Sequence, residues 1–139
     1  HNRDVFDANA KFRSNWITRG LDSEAIEFCE KAGKKLCDEK MSTSQIRNVY
    51  GEIVRMKMKG IDGDNYQSFL LLKPKVAYAA KRAEEKKQYG VKHFKKILDL
   101  AHEKVLLGDK DSRPHYFNNF CDMMEAILAF HKSFGGKDY

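Results

Sequence analysis

One segment, "MSTSQIRNVYGEIVRMKMKG" at residues 41–60, constrains the fold more than any other. Ser42 and Gln45 have the spacing of a capping box. The Ser hydroxyl accepts from the Gln45 backbone N–H while the Gln side chain reaches back to the Ser42 N–H. Met41 and Ile46 flank the box as a hydrophobic staple. Ile46, Val49, Tyr50, Ile53 and Met56 then recur at helical spacing, and Gly60 supplies a stop. Arg47, Asn48, Gly51, Glu52, Arg55 and Lys59 fall on the opposite arc. Lys57 projects into the apolar arc, which implies either fraying or a lysine stem laid along the edge of the core.

The same period recurs along the chain, and no stretch alternates as a strand does. Residues 1–20 read as an N-terminal arm docking through Trp16, and residues 21–139 as one helical domain. A first helix is expected from Asp22, its N-cap, to about Asp38, with Ala25, Ile26, Cys29, Ala32, Leu36 and Cys37 inward. After the "GIDGDN" turn, Pro74 interrupts "YQSFLLLKPKVAYAAKRAEEKKQYG". A proline lacks the N–H and disfavours helical geometry before it, so a break at 72–73 is expected, with Pro74 opening a new helix that Gly90 ends. A fourth helix over about 91–107 buries Phe94, Ile97, Leu98, Ala101 and Val105. A fifth, from near Ser112, buries Phe117, Phe120, Cys121, Met124, Ile127 and Leu128. The expectation is an all-α, single-domain bundle of about five helices, the third broken at Pro74.

Catalytic motifs are missing. There is no P-loop, no G-x-S-x-G and no H-E-x-x-H. His131 sits on an apolar stripe and reads as a hydrogen-bonded core or interface histidine. Asp62, Asp64 and Asn65 resemble a calcium loop, but Lys73 stands where the bidentate Glu belongs. Cys29, Cys37 and Cys121 show no C-x-x-C spacing and read as reduced thiols of a cytoplasmic protein. No catalytic residue, metal or cofactor is expected, no apolar run is long enough to span a membrane, and no leader is visible, although the chain opens on His1 rather than Met.

Charge gives the sequence its strongest functional signal. The net charge is +6, and it is unevenly placed. Residues 40–59 carry +4 and residues 73–98 carry +7, while 1–39, 60–72 and 99–139 are all slightly acidic. Two basic blocks flanking one turn argue for an anionic partner. In the second block Lys75, Tyr78 and Arg82 share a helical face, where cations neutralise phosphates and an exposed tyrosine stacks on a base or ribose. The competing reading is a solvated lysine-rich helix with Tyr78 tucked against a neighbour. Arg47 and Arg55 favour phosphate recognition, because arginine makes planar bidentate contacts. Gly51 between them either lets a backbone approach or serves close helix packing.

"TSQIRNVYGEI", followed by "FLLLKPKVAYAAKR" and a final "ILAFHKSFGG", resembles the small α-helical subunit of type III-A CRISPR interference complexes, the Csm assemblies. The resemblance runs from Trp16 to Gly136. It implies a non-catalytic RNA-binding bundle present in several copies. Its partners would be copies of itself, the guide-carrying backbone subunits, the large polymerase-palm subunit and the guide–target RNA duplex, which it would stabilise through backbone contacts. Carried over by position, the resemblance places RNA contact on Arg47, Arg55, Lys73, Lys75, Tyr78, Lys81 and Arg82. Glu84 and Glu85 depart from a purely basic face and leave its C-terminal limit open. The alternative is a protein-interaction module whose basic faces meet acidic partners without touching RNA.

Overall fold

The computed structural model describes residues 6–138. Among them are seven helices and no strand: α1 (Ala8–Lys11), α2 (Asn15–Thr18), α3 (Ser23–Asp38), α4 (Thr43–Lys59), α5 (Asp64–Glu85), α6 (Gly90–Leu106) and α7 (Arg113–Ser133). The first two are single turns and the other five are long. Asp22 caps α3 as its sequence position requires, accepting from the Ala25 N–H at 2.8 Å.

Helices α4, α5, α6 and α7 pack each on the next and α7 closes back on α4, while α3 lies against α6 and α7. The helix α3 runs parallel to α7: Cys29 Sγ contacts the Met123 carbonyl and, one end further on, Cys37 Sγ contacts the Phe134 carbonyl. The α3–α4 turn, the α5–α6 turn and the end of α7 therefore meet at one pole of the bundle. At that pole Gly90 donates to the Glu39 carbonyl at 2.7 Å, and a Cβ on Gly90 would stand 2.6 Å from that of Met41. Only glycine allows this approach.

The core explains the helix faces. Phe69, Phe117 and Phe120 pack edge-on and stacked around His102, whose ring lies parallel to that of Phe69 at 4.0 Å. A second aromatic cluster, Phe6, Phe12, Trp16 and Phe28, fixes residues 6–16 onto α3. Ala8, Trp16 and Ile17 belong to the same buried core as the helices that follow.

Several expectations are corrected. The helix α5 does not break at Pro74 but runs through it. Pro74 and Leu70 are both exposed, so the Leu70 carbonyl that loses its partner lies on the solvent arc. Phe69, Leu72, Val76 and Ala80 make one buried row spanning the proline. An interior proline costs about 3 kcal/mol, and that row exceeds it, since each large apolar side chain contributes roughly 1.5–3 kcal/mol on burial. His102 also donates Nε2–H to the Phe69 carbonyl at 2.7 Å, holding α5 to α6 just before the proline. Gly90 opens α6 and does not end α5. On α3, Ile26 is exposed and Cys37 half-buried, while Phe28 and Gly33 take the inward positions. Lys57 sits within an unbroken helix with its ammonium 3.9 Å from Asp122, so it does not mark fraying.

Candidate nucleic-acid interface

The helix α4 starts as its sequence dictates. Ser42 Oγ accepts from the Gln45 N–H at 3.1 Å and the Ser42 N–H donates to Gln45 Oε1 at 2.7 Å. The Gln45 amide also donates to Gln88 Oε1 at 2.9 Å, tying this end of α4 to the turn after α5. Residues four apart differ by about 40° on a helix, so Arg47, Gly51 and Arg55 form one winding line across the outward arc. A Cβ at Gly51 would meet nothing within 4 Å, which removes close helix packing as its reason and leaves open surface there.

Arg47 donates to Ser44 Oγ at 3.3 Å, and Ser44 donates from both its N–H and its hydroxyl to Asp138 at 2.9 Å. The Asp138 carboxyl lies below its ordinary range, first through the Ser44 N–H, then the Ser44 hydroxyl, with the Arg47 charge adding to these. The C-terminal segment thus reaches across the start of α4.

Glu52 joins the two basic helices. Its carboxylate accepts from Arg55 of α4 at 2.5 Å and stands 3.6 Å from Lys75 of α5. Since α4 and α5 run antiparallel, counting away from this contact sets Arg47 level with Ala80, within about one turn of Arg82. Both arginines are exposed, but the contact across the two helices is made by Arg55 and Lys75 at Glu52, while Arg47 reaches toward Ser44, which holds Asp138. Tyr78 is 67% exposed and not tucked into a neighbour. Its ring lies 5.8 Å from the Arg82 guanidinium, a cation–π arrangement that leaves the other ring face open.

The expected site residues are all exposed, but they divide into several groups. Arg55 and Lys75 meet at Glu52 on the α4–α5 side, Tyr78 and Arg82 pair further along α5, and Arg47 lies beside Ser44 at the start of α4. Lys73 and Lys81 turn toward α6. Lys81 pairs with Glu84 at 3.6 Å, and Glu84 also reaches Lys92 of α6 at 3.7 Å. The Lys73 charge acts on His102, adding to the desolvation that chiefly lowers the pKa of that buried ring. Sequence reasoning gave Glu52 no role beyond the polar arc. The signal was present, since Glu52 is the single acid between residues 40 and 59.

Other titratable groups serve the fold. His131 is buried and donates Nε2–H to the Met41 carbonyl at 2.6 Å, as a core histidine does; burial lowers its pKa. The Cys29 and Cys121 thiols are pushed up to about 12 by burial, which leaves them unreactive. An open cleft at the opposite pole contains Tyr66, Lys110 and Arg113, but Arg113 is already committed, lying 4.4 Å over the Tyr66 ring and bonded to the Gly108 carbonyl. Among the described residues no three His, Cys, Asp or Glu side chains are grouped to hold a metal ion, and no helix is long and apolar enough to cross a membrane.

A family model described as Csm2 Type III-A matches residues 22–137, from the α3 N-cap to the segment beyond α7. No curated protein and no solved structure matches. The chain belongs to the Csm2 type III-A family, and so to the subunits of a type III-A CRISPR complex.

Proposed function

We propose that this Csm2-family chain is a non-catalytic, RNA-binding structural subunit. In the cytoplasm, several copies stack beside the guide-carrying backbone subunits and toward the large polymerase-palm subunit. Together they stabilise guide–target RNA pairing through sequence-independent contacts to phosphate and ribose. The observation that supports this reading is the Glu52 bridge, which holds Arg55 of α4 beside Lys75 of α5. One carboxylate against Arg55 and Lys75, with Arg82 in the same helical row as Lys75, leaves positive charge in excess there. Planar guanidinium groups suit phosphate oxygens, and the exposed Tyr78 ring suits a base or ribose. Lys73 and Lys81 contribute from the flank of the same helix.

The test is an Arg47→Ala/Arg82→Ala double variant assembled into the type III-A complex. Both side chains are exposed, so the variant keeps the melting temperature of the parent. Retention of labelled target RNA falls as salt rises, and the log–log salt slope shrinks by roughly 0.7–0.9 for each phosphate contact removed. The loss is the same for targets of unrelated sequence. Full retention with an unchanged slope would instead favour a protein-interaction module. The isolated subunit binds weakly, since repeated copies supply the avidity.

A further inference from the structure

Two exposed lysines stand where the backbone favours glycine. Lys40 follows α3 with φ 67° and Lys87 follows α5 with φ 61°, the non-glycine residues with positive φ among those described. Both turns close identically. The Met41 N–H bonds back to the Leu36 carbonyl and Lys40 to Cys37; likewise Gln88 bonds to Ala83 and Lys87 to Glu84. This is the Schellman geometry, whose left-handed position is ordinarily filled by glycine or asparagine because a Cβ is disfavoured there.

The fold gives no reason for lysine at either place. Neither ammonium has an ion pair with a described residue, and neither does that of the adjacent Lys86. Three of the nearby acids are committed elsewhere: Asp38 pairs with Lys34 at 3.1 Å, Glu39 faces His93 at 3.5 Å, and Glu84 is shared by Lys81 and Lys92, while the exposed Glu85 leaves Lys86 and its neighbours still in positive excess. The two turns are also neighbours, joined by the Gly90–Glu39 backbone bond and the Gln45–Gln88 amide bond. Lys86 falls four residues after Arg82 and continues the row that holds Lys75 and Arg82.

We propose that Lys40, Lys86 and Lys87 form a second phosphate-contact cluster over the pole of the bundle, extending the RNA path of the α4–α5 face past Glu85. This rests on the RNA-binding reading above. An ammonium on a long stem is a point charge that needs no fixed approach angle, which suits a polyanion passing over a curved end. Glu84 does not interrupt the path, since its carboxylate is turned toward α6 and shared by two lysines there.

The experiment replaces both strained lysines, as Lys40→Gly/Lys87→Gly and as Lys40→Asn/Lys87→Asn, with Arg82→Ala as the reference. Glycine relieves the backbone, so the isolated glycine variant melts roughly 2–4 °C higher than the parent. Complexes carrying either double variant retain labelled target RNA about sixfold less per lysine near 0.1 M salt, and their log–log slope falls by roughly 1.5. A variant gaining heat resistance while losing RNA supports the cluster, because a purely structural role moves both quantities together. Unchanged retention and slope in both double variants, with Arg82→Ala still weakened, overturns the cluster and leaves the α4–α5 face intact. If Arg82→Ala is unchanged as well, the RNA reading itself falls.

Discussion

The α3 side of the bundle and the α4–α5 side use charge in opposite ways. On the α3 side three cations each have an acid of their own: Arg13 with Glu24, Lys31 with Glu27, Lys34 with Asp38. On the α4–α5 side a single carboxylate serves both Arg55 and Lys75, and Arg82 stacks on Tyr78 without an acid. Matched exposed pairs are worth about 0–1 kcal/mol each and neutralise a surface. Unmatched cations add self-repulsion, which a fold retains most readily where an anion is to be met. Stability alone explains the first surface and does not account for the second.

The largest test of this contrast removes the support beneath each side. Phe69→Ala takes the central ring from the α5–α6–α7 aromatic cluster and costs about 3–5 kcal/mol in denaturant unfolding. Phe28→Ala, under the α3 side, costs a comparable amount. Only the first lowers RNA retention beyond its effect on the folded fraction, because it loosens the basic helix.

Next in size is acid sensitivity. His102 and His131 are buried with lowered pKa values, desolvation being the main cause in each. The unfolded chain takes up protons near the ordinary histidine value of 6.5 while the folded chain resists them. Their contribution is therefore fully present above pH 6.5 and is lost as pH falls from there toward the lowered folded values. Urea midpoints measured from pH 7.5 to 5 decline, and His102→Gln flattens part of the decline. A pH-independent midpoint would contradict the assignment of both rings as buried and neutral.

Smaller effects discriminate within the basic face. Tyr78→Ala weakens RNA retention by about fivefold, whereas Tyr78→Phe leaves it near the parent, since the ring and not the hydroxyl makes the stack. The smallest effect has an informative sign. Glu52→Gln changes stability by less than about 1 kcal/mol, since Arg55 and Lys75 are both well exposed, yet it strengthens RNA retention by releasing them. Glu27→Gln on the α3 side leaves retention unchanged.

Local features of this fold were legible in the sequence. The Asp22 cap, the Ser42–Gln45 box and the inward placing of His131 depend on residues within a few positions of one another, or on a single apolar stripe. Features decided by tertiary contact were not. Pro74 signals a break by local preference, but the buried row from Phe69 to Ala80 overrides it. Gly90 looks like a terminator, yet its purpose is the backbone of the α3–α4 turn lying against it. The division of the site was partly within reach, because positions 73 and 75 differ by about 200° around a helix. What no spacing rule supplies is the direction of α6, which draws Lys73 and Lys81 to the far flank. The left-handed lysines were hidden for a related reason, since sequence rules look for glycine at such turns.

Crosslinking target RNA within the assembled type III-A complex, with adducts located by mass spectrometry, tests the central claim most directly. Nucleotide adducts on Tyr78 and on the peptides carrying Arg47, Arg55 and Arg82, with none on α3, are the result expected. Adducts confined to α3, or none between residues 43 and 87 while other subunits crosslink normally, would contradict it.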